Sequence, residues 1–374
     1  MIRFRPTVAE IDLAAIRHNV AAVKPARAEV MAVVKSNGYG HGAVPCAKAA
    51  LAGGATWLGV ALVEEGLALR EAGIDAPVLV LSEFPPGAEK DALAAGLVPS
   101  VYTDAGLDAV ASTARDLGTT ARVHLKVDTG MHRVGLYPPE AALEFAHRIV
   151  AAGLELEGLW THFARSEDDE ETTRRQLDRF LAVSQALDAA GLTPHLRHAA
   201  NSGAAIAYPE THFDLVRIGI AAYGLEPAPG AAATVGLRPA LSWRSAVTMV
   251  RRLPARERLS YGHTYELVRE STVATVPVGY ADGYPRSLSN RAHVLIRGHR
   301  RRVAGTVTMD QLLVDCEDDE ILPGDEVVLI GRQGEQEVMA EELAGLAGTI
   351  GYEIVCGISE RVPREYTGGP EDGA

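Results

Sequence analysis

"EVMAVVKSNGYGHG", residues 29–42, decides how the rest of the chain is read. Five apolar residues, three of them valine, make a short buried strand that stops at Lys35 and gives way to a polar loop broken by glycines. The same succession recurs along the chain. "WLGVAL" (57–62), "PVLVLS" (77–82), "LVPSVY" (97–102), "RVHLKVD" (122–128), "LEGLWTH" (156–162), "HLRHAA" (195–200) and "DLVRIG" (214–219) complete a set of eight strands. Helical stretches such as "VEEGLALREAG", "DAGLDAVASTARDLG" and "RRQLDRFLAVSQALDAAG" lie between them, several ending in the glycine expected at a helix C-terminus. Eight strands alternating with helices over roughly 200 residues is the grammar of a (β/α)8 TIM-type barrel in an α/β fold.

After "YGLEPAPGAAATVG" the pattern changes. The Pro/Gly/Ala segment at about 226–236 reads as a linker, extended over Pro227 to Ala233. Beyond it, short alternating runs punctuated by Gly and Pro predict a mostly β, antiparallel C-terminal domain with one helix near "AEELAGLAGTIG". The expected division is a barrel over 1–230 and a β domain over 231–374.

Composition narrows the classes of function. A net charge of −13 favours solubility and argues against nucleic acid as a partner, since such binders carry a basic stripe. The one basic run, "RGHRRR" (Arg297 to Arg302), reads as a solvated hairpin. No apolar run approaches the length of a membrane span, and "MIRFRPTVAEIDLAA" shows no secretory pattern. The three cysteines, Cys46, Cys316 and Cys356, stand far apart in no metal-binding spacing, so no metal is expected and buried reduced thiols in the cytoplasm are.

In a barrel of this kind the loops after the strands converge on one mouth. The polar residues that end otherwise apolar strands are Lys35, Lys126 with Asp128, His162, His198 with Asn201 and Ser202, and Arg217. Each has a plain structural reading: a strand-end lysine carries its amine to solvent, a histidine satisfies a core hydrogen bond, an arginine pairs with a carboxylate. Lys35 has a second one, as a nucleophile toward a carbonyl group. Together they make a cationic mouth that suits an anion. Ser202, Gly203 and "RIGIAAYG" (217–224) follow the last two strands, where this fold usually holds phosphate. A lysine opposite a phosphate site points to a phosphorylated aldehyde, of which pyridoxal 5'-phosphate is the common one.

"RPTVAEIDLAAIRHN", "AVVKSNGYGHG", "KVDTGMHRVG", "THF", "HAANS", "VRIGIAAYG", "SYGHTY", "VPVGYADGY", "MDQLLVD", "TIGYE" and "RVPREY" occur in this order over nearly the whole chain. In combination they resemble the alanine racemases, pyridoxal-phosphate enzymes of fold type III. The resemblance implies that Lys35 carries the cofactor as an imine, that Tyr39, Ser202, Gly219, Ile220 and Tyr352 hold its phosphate, and that Arg217 faces its pyridine nitrogen. It further implies that His162 and His198 flank the cofactor, as Asn201 does by its place beside Ser202. Arg133 would meet the cofactor's phenolic oxygen and the substrate carboxylate, held by Lys126, which in the family is often carbamylated. Tyr261 would be the second catalytic base, and Tyr280 and Met309 would touch substrate. The implied assembly is a homodimer with shared sites, and the implied task is supplying D-alanine for peptidoglycan.

The chemistry agrees with those roles. Racemisation removes a proton from one face of a carbon and returns it to the other, so two bases must flank it, Lys35 and Tyr261. A tyrosine needs help to act as a base near neutral pH, which His162, hydrogen-bonded to Tyr261 and linked to Arg217, would give. The sequence departs from the family at Ser36 and Gly38, where alanine is usual, and at His132, where asparagine is. Thr306 stands where arginine is usual and Thr308 where cysteine often is, so the passage by which substrate reaches the site is expected to differ. The alternatives are a serine or broad-specificity racemase, a fold-type III decarboxylase, which would put a carboxylate where Arg217 stands, and a non-catalytic pyridoxal-phosphate carrier, which would lack the β domain.

Overall fold

The computed structural model describes residues 4–369, in two compact units. One holds Ala15–Gly38 and Gly42–Arg238, the other the N-terminal segment to Ala14, Tyr39–His41 and the chain from Pro239 onward.

The first unit is the barrel. Its strands are β2 (Glu29–Val33), β3 (Trp57–Val60), β4 (Val78–Val80), β5 (Leu97–Val101), β6 (Arg122–Lys126), β7 (Glu155–Trp160), β8 (Leu196–His198) and β9 (Leu215–Ile218), preceded in the chain by β1 (Val8–Asp12) of the other unit. All eight expected strands form, in parallel order β8-β7-β6-β5-β4-β3-β2-β9. Most of their residues are buried on both faces, as a sheet wrapped by helices requires. The seam between β8 and β9 is bridged by Asp214 N–H donating to Arg197 O at 3.1 Å and Arg217 N–H to Ala200 O at 3.0 Å. Met31, Trp57, Leu79, Val98 and Leu215 fill one stretch of the interior. Side chains cap the outer helices: Thr103 accepts from Gly106 N–H at 3.0 Å, and Asp169 from Thr172 N–H at 2.9 Å.

One irregularity matters later. Between β6 and β7 the register shifts, Val123 facing Leu156 but His124 facing Gly158, so Glu157 is an extra residue in a bulge.

The second unit is built on a sheet in the order β11 (Met249–Leu253), β14 (Ser271–Val276), β17 (Leu312–Asp315), β16 (His299–Val303), β15 (His293–Ile296), β18 (Glu326–Gln333), β10 (Leu241–Ala246), β1, β20 (Arg364–Thr367). β19 (Gln336–Val338) pairs with β18, and β12 (Arg258–Leu259) with β13 (Tyr265–Glu266). β1 lies antiparallel to β10 and parallel to β20, so the N-terminal strand folds with the C-terminal part of the chain.

Four smaller expectations change. Residues Ala231–Val235 form a short helix inside the segment read as an extended linker, because alanine is the best helix former and Gly230 and Gly236 punctuate it in left-handed conformations (φ 79° and 68°). A second helix, Gly351–Cys356, follows the expected one at Ala340–Ala347. Cys356 is exposed on it, unlike Cys46 and Cys316. "RGHRRR" does turn a hairpin between β15 and β16, but Arg297 pairs with Asp325, Arg300 with Glu342 and Arg301 with Asp319 instead of standing in solvent. No helix among the described residues is long and apolar enough to cross a membrane.

Candidate active site

The site in the barrel is organised by Arg217. It is 3% exposed, in β9, and no carboxylate pairs with it among the described residues. Its charge rests on lone pairs instead. Nη1 donates to His198 Nδ1 and His198 O, both at 3.0 Å. Nη2 donates to Thr161 O at 2.8 Å, Ala199 O at 2.9 Å and His162 Nδ1 at 3.1 Å. Burial lowers its pKa to about 9, which still leaves it charged at neutral pH. The terminal nitrogens are fully engaged, and Nε–H is the donor left uncommitted among the described residues.

Arginine only donates, so His162 Nδ1 accepts, and a neutral His162 carries its proton on Nε2. Burial, then the positive charges of Arg217, Lys126, Arg133 and Lys35, hold His162 well below its ordinary pKa. His198 is depressed likewise, by burial first and Arg217 second. Lys126 sits with Nζ 4.0 Å from the centre of the Trp160 ring. Burial, with Arg217 and Arg133 next in weight, lowers its pKa to about 7. A substantial fraction of the amine is therefore neutral near physiological pH, unlike an ordinary lysine.

The loop that carries Arg133 is gathered by Asp128, whose Oδ1 accepts from the N–H groups of Gly130, Met131 and His132 at 2.9 to 3.0 Å. Its Oδ2 lies 3.3 Å from His132 Nδ1, a use for the histidine at that position. Arg133 itself is exposed and makes no hydrogen bond among the described residues. After β8, Asn201 caps the helix Ser202–Ala207 by accepting from Ala204 N–H at 3.0 Å. Ser202 Oγ accepts from Gly219 N–H at 2.9 Å, tying the two loops together. The buried N–H groups of Gly203 and Ile220 donate to nothing among the described residues.

Lys35, half-buried, follows β2 and opens a turn in which Ser36, Asn37, Gly38 and Tyr39 all adopt positive φ, between 52° and 61°. Three of these are not glycine, a conformation that costs about 1 kcal/mol or more for each. Local bonds offset it: Ser36 N–H donates to Glu65 Oε1 at 2.5 Å, and Asn37 Oδ1 accepts from Ala43 N–H at 2.9 Å.

The remaining candidates belong to the β unit. Tyr39 and Tyr352 meet there with ring centres 6.1 Å apart. Tyr261 projects from a tight turn in which Ser260, Gly262 and His263 have φ of 61°, 73° and 49°, and is 75% exposed. Thr306 fastens that turn: its Oγ1 donates to Tyr261 O at 2.8 Å, while Ser260 Oγ donates to Thr306 O at 2.6 Å. Tyr280 and Met309 are brought side by side, since Tyr280 N–H donates to Thr308 O at 2.9 Å and Ala281 N–H to Met309 O at 3.0 Å. Any side chain at Gly279 would lie 2.3 Å from those carbonyls.

The comparisons with known proteins can now be set beside this geometry. The model described as "Alanine racemase, N-terminal domain" matches residues 11–227, and "Alanine racemase, C-terminal domain" matches 240–366.

The chain belongs to the alanine racemase family.

Membership makes it an isomerase. It is 54% identical to the alanine racemase of Symbiobacterium thermophilum, over 97% of this chain and 98% of the relative. Alanine racemase from D-cycloserine-producing Streptomyces lavendulae superposes with a TM-score of 0.94 at 44% identity, covering 99% of both chains. That from Bacillus anthracis with bound L-Ala-P gives 0.91 at 38%, covering 99% of this chain and 97% of the other.

Within this alanine racemase family fold, sequence reasoning overlooked three buried residues. His124 lies two positions before Lys126 on the same strand, so the two-residue period could have found it. Trp160, beneath Lys126 and Arg217, could have been found the same way from His162. Glu157 could not, because the bulge breaks the alternation there.

Proposed function

We propose that the chain interconverts L- and D-alanine with pyridoxal 5'-phosphate as cofactor, in the cytoplasm, supplying D-alanine for peptidoglycan. The observation that carries this is Arg217: a buried cation with a spare Nε–H occupies the place where a decarboxylase would need a carboxylate. The residues present suit the cofactor. Lys35 would bind its aldehyde, and the uncommitted N–H groups of Gly203 and Ile220, with Ser202, Gly219 and the Tyr39 and Tyr352 phenols, its phosphate. When bound, the cofactor withdraws electrons from the substrate α-carbon and makes its proton removable.

The protein supplies the rest. Arg217 directs Nε–H to the ring nitrogen and, by its charge, disfavours protonation there. His198 and Asn201 hold that side of the mouth, and Arg133 binds the substrate carboxylate. Lys35 Nζ and Tyr261 Oη move the proton on opposite faces. Lys126, with about half of its amine neutral at pH 7, is nucleophilic enough to take up carbon dioxide, releasing a proton and leaving a carbamate whose negative charge would restrain Arg133.

A homodimer with shared sites fits the exposure of Tyr261, Tyr280 (43%) and Met309 (52%) on the β unit, three large side chains a second copy would cover. In such a pairing His162 Nε2–H, which has no acceptor among the described residues, would donate to Tyr261 Oη of the other copy. In this reading the barrel supplies Lys35 and Arg217 and the β domain supplies Tyr261; the compact units part at Arg238/Pro239, not at the expected 230/231, and the segment to Ala14 and Tyr39–His41 go with the β unit.

The test is to load the purified protein with pyridoxal phosphate, supply L-alanine and L-serine separately, and follow the D-enantiomers. D-alanine formed faster than D-serine is expected. Preference for serine would make this the broader racemase that is the second reading, and neither product would end the proposal.

A further inference from the structure

Behind Arg217 and His198 runs a line of polar side chains, His124, Glu157 and Arg122, to which the proposed reaction gives no part. His198 Nε2 lies 2.9 Å from His124 Nδ1, His124 Nε2 lies 3.4 Å from Glu157 Oε2, and Glu157 Oε1 accepts from Arg122 Nη1 at 2.5 Å. His124 and His198 are fully buried and Glu157 nearly so; only Arg122 reaches solvent, at the start of β6. His124 Nε2 and Glu157 Oε2 make no hydrogen bond among the described residues and face each other at 3.4 Å, close enough for the carboxylate's charge to act on an N–H there.

Room for this line is made at the expense of regular packing. A Cβ at residue 158 would lie 2.4 Å from the His124 ring, so Gly158 is what admits the imidazole. The bulge places Glu157 beside it. Trp160 stacks on His198 at 5.5 Å with 8° between planes, and Trp57 packs at 5.4 Å from His124.

The protons in the line have to agree along its whole length, with Arg217 acting at one end and Glu157 at the other. Arginine has no acceptor, so His198 Nδ1 must be bare where it meets Arg217. A neutral His198 then carries its proton on Nε2 and donates to His124 Nδ1, which must be bare in turn. His124 therefore has its proton on Nε2, the nitrogen that lies 3.4 Å from Glu157 Oε2. Placing it on Nδ1 instead would set two N–H groups against each other across 2.9 Å; moving the His198 proton to relieve that would set another against Arg217. Burial keeps both imidazoles neutral, which the arrangement requires.

We propose that His124 and Glu157 are positioning residues for Arg217: the Glu157 carboxylate holds the His124 proton on Nε2, so that His198 always offers Arg217 a bare Nδ1 and the guanidinium keeps its orientation. Neither residue touches the reacting atoms. The effect on turnover rests on the reading of Arg217 given above, whereas the arrangement of protons does not.

The experiment uses full-length protein labelled with 15N-histidine, with and without pyridoxal phosphate. Two buried neutral imidazoles protonated on Nε2 are expected, assigned by their loss in His124→Phe and His198→Phe. Glu157→Gln, which keeps an acceptor oxygen, should preserve the pattern, and Glu157→Leu, which removes one of the two ends that fix it, should let a second population with His124 protonated on Nδ1 appear. In the loaded enzyme Glu157→Leu should lower kcat for alanine about tenfold, as for loss of one hydrogen bond to a charged group, leave KM little changed, and raise pyruvate formed per racemisation event. A wild-type His124 protonated on Nδ1 would overturn the proposal, and needs no variant to fold. So would unmoved protons in Glu157→Leu, or moved protons with an unchanged ratio of pyruvate to racemised alanine. Wild-type protein that shows the expected protons but no racemisation would instead count against the proposed function alone.

Discussion

At the scale of single residues, the site separates charge from proton transfer. Arg217 stays charged because three carbonyl oxygens and two bare imidazole nitrogens surround it, while burial first and the same charge second keep His162 and His198 neutral. Reversing it should show what it does: Arg217→Glu is expected to slow racemisation and to divert substrate to pyruvate, with the cofactor collecting as pyridoxamine phosphate. Intact racemisation without pyruvate would contradict the role. Tyr261 makes a second, face-specific prediction. Tyr261→Phe should suppress solvent exchange of the α-hydrogen for one alanine enantiomer far more than for the other, read by deuterium incorporation into each; equal loss would reduce Tyr261 to a support. Lys35, Lys126, His162, His198 and Arg217 were legible because a charge or imidazole at the end of an apolar strand breaks an obvious pattern. His132 and Thr306 became explicable only through their partners, Asp128 and the carbonyl of Tyr261.

At the scale of elements, strands were easier to read than turns. A parallel strand buried on both faces must be apolar throughout, and such runs stand out; the conformation of "SNGYG" does not, since glycine and asparagine permit many loops. The structure makes it one left-handed turn, and Gly40 next to it shows how firmly it is seated. Gly40 has φ of 81°, a Cβ there would lie 2.4 Å from Val355 O, and Arg364 Nε–H donates to Gly40 O at 2.9 Å. Gly40→Ala combines an unfavourable φ with a backbone clash and should destabilise the fold by roughly 2–4 kcal/mol, measured by urea unfolding. A change below ~0.5 kcal/mol would mean that the turn yields easily.

At the scale of the whole molecule, Lys126 gives stability a pH dependence with a definite sign. Its pKa is about 7 folded and 10.5 ordinarily, so between those values unfolded chains bind a proton that folded chains do not. The cost of its burial is complete below pH 7 and is relieved as pH rises toward 10.5. In buffer free of carbon dioxide, unfolding free energy should therefore rise with pH above 7, by at most about 1.4 kcal/mol per pH unit from this group, and Lys126→Met should flatten the slope. An unchanged slope would assign the effect elsewhere. Assembly has its own test: Lys35→Ala and Tyr261→Phe chains, each inactive alone, should regain activity as a mixed dimer if sites are shared, because one site then combines both intact residues. Activity no higher than the parents would exclude sharing. By itself the sequence determined the eight barrel strands, the change to β structure after them and the polar residues at the strand ends, because burial on both faces and local alternation are written in residues a few positions apart. Tertiary structure decided the pairing of Val8–Asp12 with strands more than 200 residues away, the bulge that brings Glu157 beside His124, and the approach of His124 to His198 at 2.9 Å. Those depend on which distant groups face each other across hydrogen-bond distances, and no local pattern in a chain encodes that.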